Sequence, residues 1–161
     1  MENKDTVTRT VEESRVETVH IVRPEHMNSA GRMFGGALMQ WIDEVAGLVA
    51  KRHSHTMVTT ASVDNLHFIT SAFLNDVVVL IGRITYVGNS SMEVRVDTYV
   101  EAMNGIRTPI NRAYLTVVVL DETGKTVRVP RLKLSNQMEE IEWEGGIKRR
   151  EMRMLRREEG F

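Results

Sequence analysis

The sequence predicts an α+β fold in which an antiparallel β-sheet lies against one long helix. Three observations carry this prediction. Residues 36–53 place their apolar side chains on a single helical stripe, several later segments have strand composition, and the connections between those segments are short and rich in Gly, Asn and Asp. With 161 residues, 42% hydrophobic and 27% charged, the chain suits one globular domain. A domain of that size removes roughly 68–70% of its unfolded surface from water, enough to fold without disulfides or structural metals. The chain has no cysteine, which excludes thiolate zinc sites, iron–sulfur clusters and a cysteine nucleophile.

Taken in order, residues 1–14 are polar and read as a flexible arm, residues 15–135 as the folded domain and residues 136–161 as a charged, helical tail. A first strand is predicted from Val16 to Val22, where apolar residues alternate up to Pro24. The stretch PEHMNSAGRMFGG has loop composition. In the helix Gly36–His53, Leu38, Ile42, Val45 and Val49 form the stripe, and Lys51, Arg52 and His53 suit the negative end of the dipole. The opposite side carries Asp43 among Gly36, Gly47 and Ala50. Such small residues either let the helix pack tightly or admit the close approach of another backbone, subunit or ligand.

Strands are predicted at Met57–Phe68, Asp76–Tyr86, Met92–Ala102, Ile110–Leu120 and Thr126–Val129, with turns at Gly88-Asn89-Ser90, Asn104-Gly105 and Asp121–Gly124. Consecutive apolar residues at Val77–Ile81 and Val117–Leu120 predict burial on both faces. One helix covers only one face, so a second copy of the chain is expected over the other face or the sheet edge. The tail is expected to split at Gly145-Gly146, its second half forming a basic helix that is solvated or docked on a partner.

Many chemistries are excluded by inspection. There is no G-x-S-x-G, H-E-x-x-H or G-x-G-x-x-G motif, and Gly124-Lys125-Thr126 has Val119 where a phosphate loop needs glycine. His53-x-His55 lacks further ligands nearby, so no metal is expected. The balance of 21 basic and 22 acidic residues speaks against a nucleic-acid partner, and no apolar run is long enough for a membrane span. The first residues lack the apolar core of a secretory signal, so cytoplasm is the expected compartment.

What remains is Phe34-Gly35-Gly36 entering a helix that carries Asp43 two turns later. Glycines at a helix start let a ligand oxygen reach free backbone N–H groups at the positive end of the dipole. A carboxylate on that helix can serve as a general base toward water or as a nucleophile toward a carbonyl.

The run HMNSAGRMFGGALMQWIDEVAG (His26–Gly47), with VTTASVDNLHF, DVVVLIGRITYVGNSSMEVRVDTYVE and VVVLDETGKTVRVP, resembles the hotdog-fold acyl-CoA thioesterases of the cytosolic acyl-CoA hydrolase group, which includes the YciA-type bacterial enzymes. The resemblance covers about residues 15–132. It implies a hotdog fold and hydrolysis of acyl-CoA to free acid and coenzyme A, without a cofactor. Asp43 would be the catalytic carboxylate, Asn28 its polar partner, and Gly35 and Gly36 the donors to the thioester carbonyl. Gly88, Asn89, Ser90 and Ser91 would contact coenzyme A. It further implies a site shared between two protomers, with asparagine and aspartate from different chains, in a homodimer or a trimer of dimers. On the residues alone, Asn28 could equally stabilise a turn and Ser90-Ser91 shape a hairpin.

Phe34 stands where many members have histidine, and Ile69–Phe73 replaces a frequent proline, which bears on the acyl tunnel. A hotdog dehydratase or hydratase would need a histidine near the helix start. A non-catalytic acyl-CoA sensor would lack the carboxylate and carry a DNA-reading helix pair, for which the arm is too short. Lys148, Arg149, Arg150 and Arg153 suit the phosphates of coenzyme A by charge alone.

Overall fold

The computed structural model describes residues 7–161. Its elements are β1 (Thr8–Thr10), α1 (Val11–Ser14), β2 (Val16–Ile21), a 3-10 turn (Pro24–His26), α2 (Gly35–Ser54), β3 (Met57–Phe68), β4 (Val77–Val87), β5 (Ser91–Glu101), β6 (Arg107–Leu120), β7 (Arg131–Lys133) and α3 (Gln137–Glu159). A five-stranded antiparallel sheet runs in the order β2-β4-β5-β6-β3. The sheet wraps α2, the hotdog arrangement expected from the resemblance.

The apolar stripe of α2 forms because Leu38, Ile42, Val45 and Val49 recur at helical spacing. It packs on alternate residues of the strands: Val78, Leu80 and Ile84 from β4, Val94 and Val96 from β5, Leu115, Val117 and Val119 from β6. The helix crosses β4 at Gly82, where a Cβ would stand 2.6 Å from a Val45 methyl and 2.8 Å from a Val49 methyl. α2 ends at His55 in the left-handed conformation (φ 55°), whose N–H donates to the Lys51 carbonyl. Thus the glycine in β4 sets how deeply the helix beds into the sheet.

Four expectations are corrected. The arm is structured from Thr8: Thr10 caps α1 in a reciprocal capping box with Glu13, and Val11 and Ser14 are buried. The backbone N–H and hydroxyl of Thr10 hold the Glu13 carboxyl below the usual carboxylate range. Residues 1–6 of the expected arm lie outside the described residues. Next, Thr126–Val129 forms only one bridge, Thr126 to Leu120. Val129 N–H turns to the Asn89 carbonyl instead, and the short strand falls at β7, paired in parallel with β1.

The tail does not split: α3 runs unbroken through Gly145-Gly146. The face it covers is one of the two places, with the sheet edge, where a second copy was expected, and the edge is the one left for it. Strand alternation on the covered face presents Tyr86, Glu93, Arg95 and Tyr114, and the chain's own helix covers them. Trp143 packs on Tyr86 (ring centroids 4.6 Å), and the Arg149 guanidinium lies 3.7 Å from the centre of the Tyr114 ring. Glu93, 1% exposed, accepts from Thr85 Oγ1 (2.6 Å), Arg149 Nη2 (2.8 Å) and Arg153 Nη1 (3.1 Å). Gly146 explains why the helix tolerates a glycine pair that costs about 1 kcal/mol per residue relative to alanine. A Cβ there would stand 2.6 Å from Tyr86 Cβ, so the helix sits closer to the sheet than any side chain would permit. Gly146→Val is expected to cost about 1–3 kcal/mol by overpacking, read as a lowered midpoint in chemical denaturation; an unchanged midpoint would contradict this seat.

The two histidines of the set-aside metal doublet are engaged separately. His53 is buried, its Nε2 donating to the Pro130 carbonyl (2.9 Å), and burial pushes its pKa down. His55 Nδ1 faces the Arg9 guanidinium. No helix among the described residues is long and apolar enough to cross a membrane.

Candidate active site

The loop from Pro24 to Phe34 is built around Asn28. Its Oδ1 accepts from the N–H groups of Ala30 (2.9 Å) and Arg32 (3.1 Å), while its own N–H donates to the Arg32 carbonyl (2.8 Å). Because the side-chain oxygen is used internally, the amide Nδ2 is the group left to donate outward. The loop is pinned to the body where Met33 N–H donates to the Ala72 carbonyl, and it closes on itself where Phe34 N–H donates to the His26 carbonyl. The His26 ring meets the edge of Trp41, and Trp41 stacks on His20 with centroids 4.2 Å apart. Burial there pushes the His20 pKa down.

At the start of α2, Phe34 provides no capping side chain and the first turn holds no acidic residue. Ala37 and Leu38 N–H groups return to the Phe34 carbonyl, so Gly35 and Gly36 present the donors that helix geometry leaves over. Beside them a cavity of about 210 Å³ is lined by Asn28 and Gly35, by apolar Met33, Leu38, Phe68 and Ile110, and by Arg32, Thr70 and Ser71 from the loops.

Asp43 lies further along the same helix, exposed on the surface of the single chain. Seven residues separate it from Gly36, which places it on nearly the same face but about 10 Å along the axis. Its Oδ1 accepts from Thr60 Oγ1 (2.5 Å) on β3. Sequence reasoning missed Thr60. The available signal was its place two residues after Val58, which packs against the core: a hydroxyl on the strand face that turns toward α2.

The turn Gly88–Ser91 is tightly held. The Gly88 carbonyl accepts from Arg131 Nη2 (2.6 Å), that of Asn89 from Val129 N–H, and that of Ser90 from Val119 N–H. Register sets this turn at the end of the sheet where α2 finishes, because Ser91 pairs with Val118 and Val118 with Thr59. Asn28 and Gly35 sit at the other end, near Phe68 and Ile110. One chain therefore brings together Asn28, Gly35 and the neighbouring Gly36, holds Asp43 apart from them, and keeps the four turn residues away from both. Of the basic residues in the tail, Arg149 and Arg153 are tied to Glu93, and Arg153 also to Asp64 (2.7 Å), so they serve the docking of α3.

Residues 30–105 match the thioesterase superfamily model. The chain is 40% identical over 126 residues to the uncharacterized acyl-CoA thioester hydrolase YkhA of Bacillus subtilis, covering 78% of this chain and 73% of that protein. It is 34% identical over 155 residues to the human cytosolic acyl coenzyme A thioester hydrolase, covering 94% of this chain but 40% of that longer protein. Among solved structures, an acyl-CoA hydrolase from Staphylococcus aureus in complex with butyryl coenzyme A, coenzyme A and coenzyme A disulfide superposes with a TM-score of 0.90 at 32% identity, covering 95% of this chain and 94% of that one. That enzyme has also been solved as alanine variants of its Asn28, Asp43 and Thr60. An apo-hexameric acyl-CoA thioesterase superposes with a TM-score of 0.89 at 36% identity, covering 93% of this chain and 97% of that one.

Proposed function

The chain belongs to the thioesterase superfamily, and we propose on that premise that it hydrolyses acyl-CoA thioesters at a site completed by two protomers. The observation that carries the shared site is the spacing along α2. The Gly35–Gly36 donors and the Asp43 carboxylate of one helix lie about 10 Å apart, whereas groups acting on one carbonyl must stand within about 3–3.5 Å of the reacting atoms. A second helix alongside supplies the missing half. Of the small residues expected around Asp43, Ala50 is buried in the chain's own core and Gly36 lies under the Phe34 ring, but Gly47 has open space and leaves room for it; β3, a 12-residue strand at the sheet edge, offers an unpaired ladder for a second copy. The far-end position of Gly88–Ser91 fits the same arrangement, in which the coenzyme would lie against the neighbour's turn. The hexameric thioesterase with the same fold supports a trimer of such dimers.

In this reading the thioester oxygen takes the N–H groups of Gly35 and Gly36, and the Asn28 amide orients the water. Asp43 of the partner takes a proton from that water as its oxygen attacks the carbonyl carbon. Collapse of the tetrahedral intermediate breaks the C–S bond, and the same proton returns to the departing thiolate. Thr60 holds one carboxylate oxygen and leaves the other to the water.

Free-thiol release from a panel of acyl-CoAs tests the activity, and mixing tests the sharing. Asn28→Ala and Asp43→Asn chains, each impaired alone, are expected to recover about a quarter of native activity when unfolded together and refolded in equal amounts, since half the dimers then carry one intact site. No recovery would place both residues in one chain's site.

A further inference from the structure

The cavity beside Gly35 has a charge that the hydrolytic chemistry does not use. Arg32 lines it, and its only side-chain bond among the described residues is a long one, Nη1 to Ser71 Oγ at 3.5 Å. Among the described residues no carboxylate lies within ion-pair distance of its guanidinium, and none lines the cavity. By contrast, Arg95, Arg149 and Arg153 are each committed to a carboxylate. The backbone of Arg32 is fixed at both ends of its peptide unit by Asn28, which accepts its N–H and donates to its carbonyl. The side chain of Arg32, itself exposed, thus springs from a fixed backbone position beside the cavity, where Thr70 and Ser71 add hydroxyls.

Met33, Leu38, Phe68 and Ile110 make the remaining wall apolar. An apolar cavity of about 150 Å³ holds benzene, so the 210 Å³ present here accepts about eight non-hydrogen atoms. That is the size of a five-carbon acyl group ending in a carboxylate. Such a group would set its methylenes against the apolar wall and its free carboxylate on the guanidinium, whose planar donors match a carboxylate in two-point contact.

Building on the acyl-CoA hydrolase reading, we infer that Arg32 selects short acyl-CoA thioesters whose acyl chain carries a terminal carboxylate. The phosphates of coenzyme A share this anionic chemistry, but the position of Arg32 beside the apolar wall favours the acyl end. The experiment compares kcat/KM for glutaryl-CoA and pentanoyl-CoA, equal in carbon count and different at the far end, in the native chain, Arg32→Gln and Arg32→Lys. The native chain is expected to prefer glutaryl-CoA, Arg32→Gln to lower the ratio of the two values about ten-fold, as loss of a charged hydrogen bond does, and Arg32→Lys to restore part of it. An unchanged ratio overturns the inference, and equal losses on both substrates would move Arg32 to the coenzyme's phosphates. If the native chain hydrolyses pentanoyl-CoA without preference for glutaryl-CoA, selection by Arg32 fails while the hydrolase reading stands; no hydrolysis of any acyl-CoA would sink that reading itself.

Discussion

Asp43→Asn is expected to lower kcat/KM for acyl-CoA hydrolysis by about 10²–10⁴-fold, the usual contribution of a positioned general base, with no change in thermal midpoint. The substitution keeps the shape of the side chain and an oxygen that can accept from Thr60 Oγ1, but an amide cannot take the proton of an attacking water. Asp43 packs against no core side chain of its own chain, and an isosteric amide keeps the shape it presents to a partner. Free-thiol release and a denaturation curve, measured on the same preparation, separate the two effects. Full activity in the variant would remove Asp43 from the chemistry, and a loss confined to KM would assign it to binding.

Glu93→Ala carries the largest expected effect on stability. The carboxylate is 1% exposed and is shared by Arg149, Arg153 and Thr85. Removing one member of a buried ionic set leaves the others desolvated without compensation, at a cost of about 3–5 kcal/mol. Arg149 and Arg153 retain 26% and 16% of their side-chain exposure, so partial hydration brings the expected loss to the lower end, about 3 kcal/mol. The loss should centre on the docking of α3: proteolysis within residues 137–159 should accelerate more than cleavage within β3–β6. A midpoint shift under about 0.5 kcal/mol, the range of ordinary surface substitutions, would show that the network adds little.

Much of this architecture was readable from residue pattern. The α2 stripe follows from local periodicity and the long strands from β-forming composition between turn residues, so they could be placed to within a few residues. Where the outcome depended on contacts distant in sequence, pattern failed. Gly145-Gly146 reads locally as a break, and only the approach of Tyr86 to Gly146 keeps α3 continuous. The arm looked featureless although Thr10-x-x-Glu13 carried a capping-box signature; its docking depends on Arg9 reaching the His53 carbonyl. The Phe-Gly-Gly entry and Asp43 were legible as a pair of chemical groups. Their separation along the helix, and the hydroxyl that steadies the acid, became visible once β3 was laid beside α2.

The parallel pairing of β1 with β7 bears on the order of assembly. Thr8 meets Arg131, so this short ladder closes a loop of about 120 positions, a large entropic cost for so few hydrogen bonds. A pairing so remote in sequence cannot nucleate folding; the ladder can form only after the intervening hairpins have zipped and brought its two halves together. It therefore works as a late latch. Residues 8–14 should be the first to unlatch in native-state fluctuations, opening the end of α2 while the central sheet stays closed.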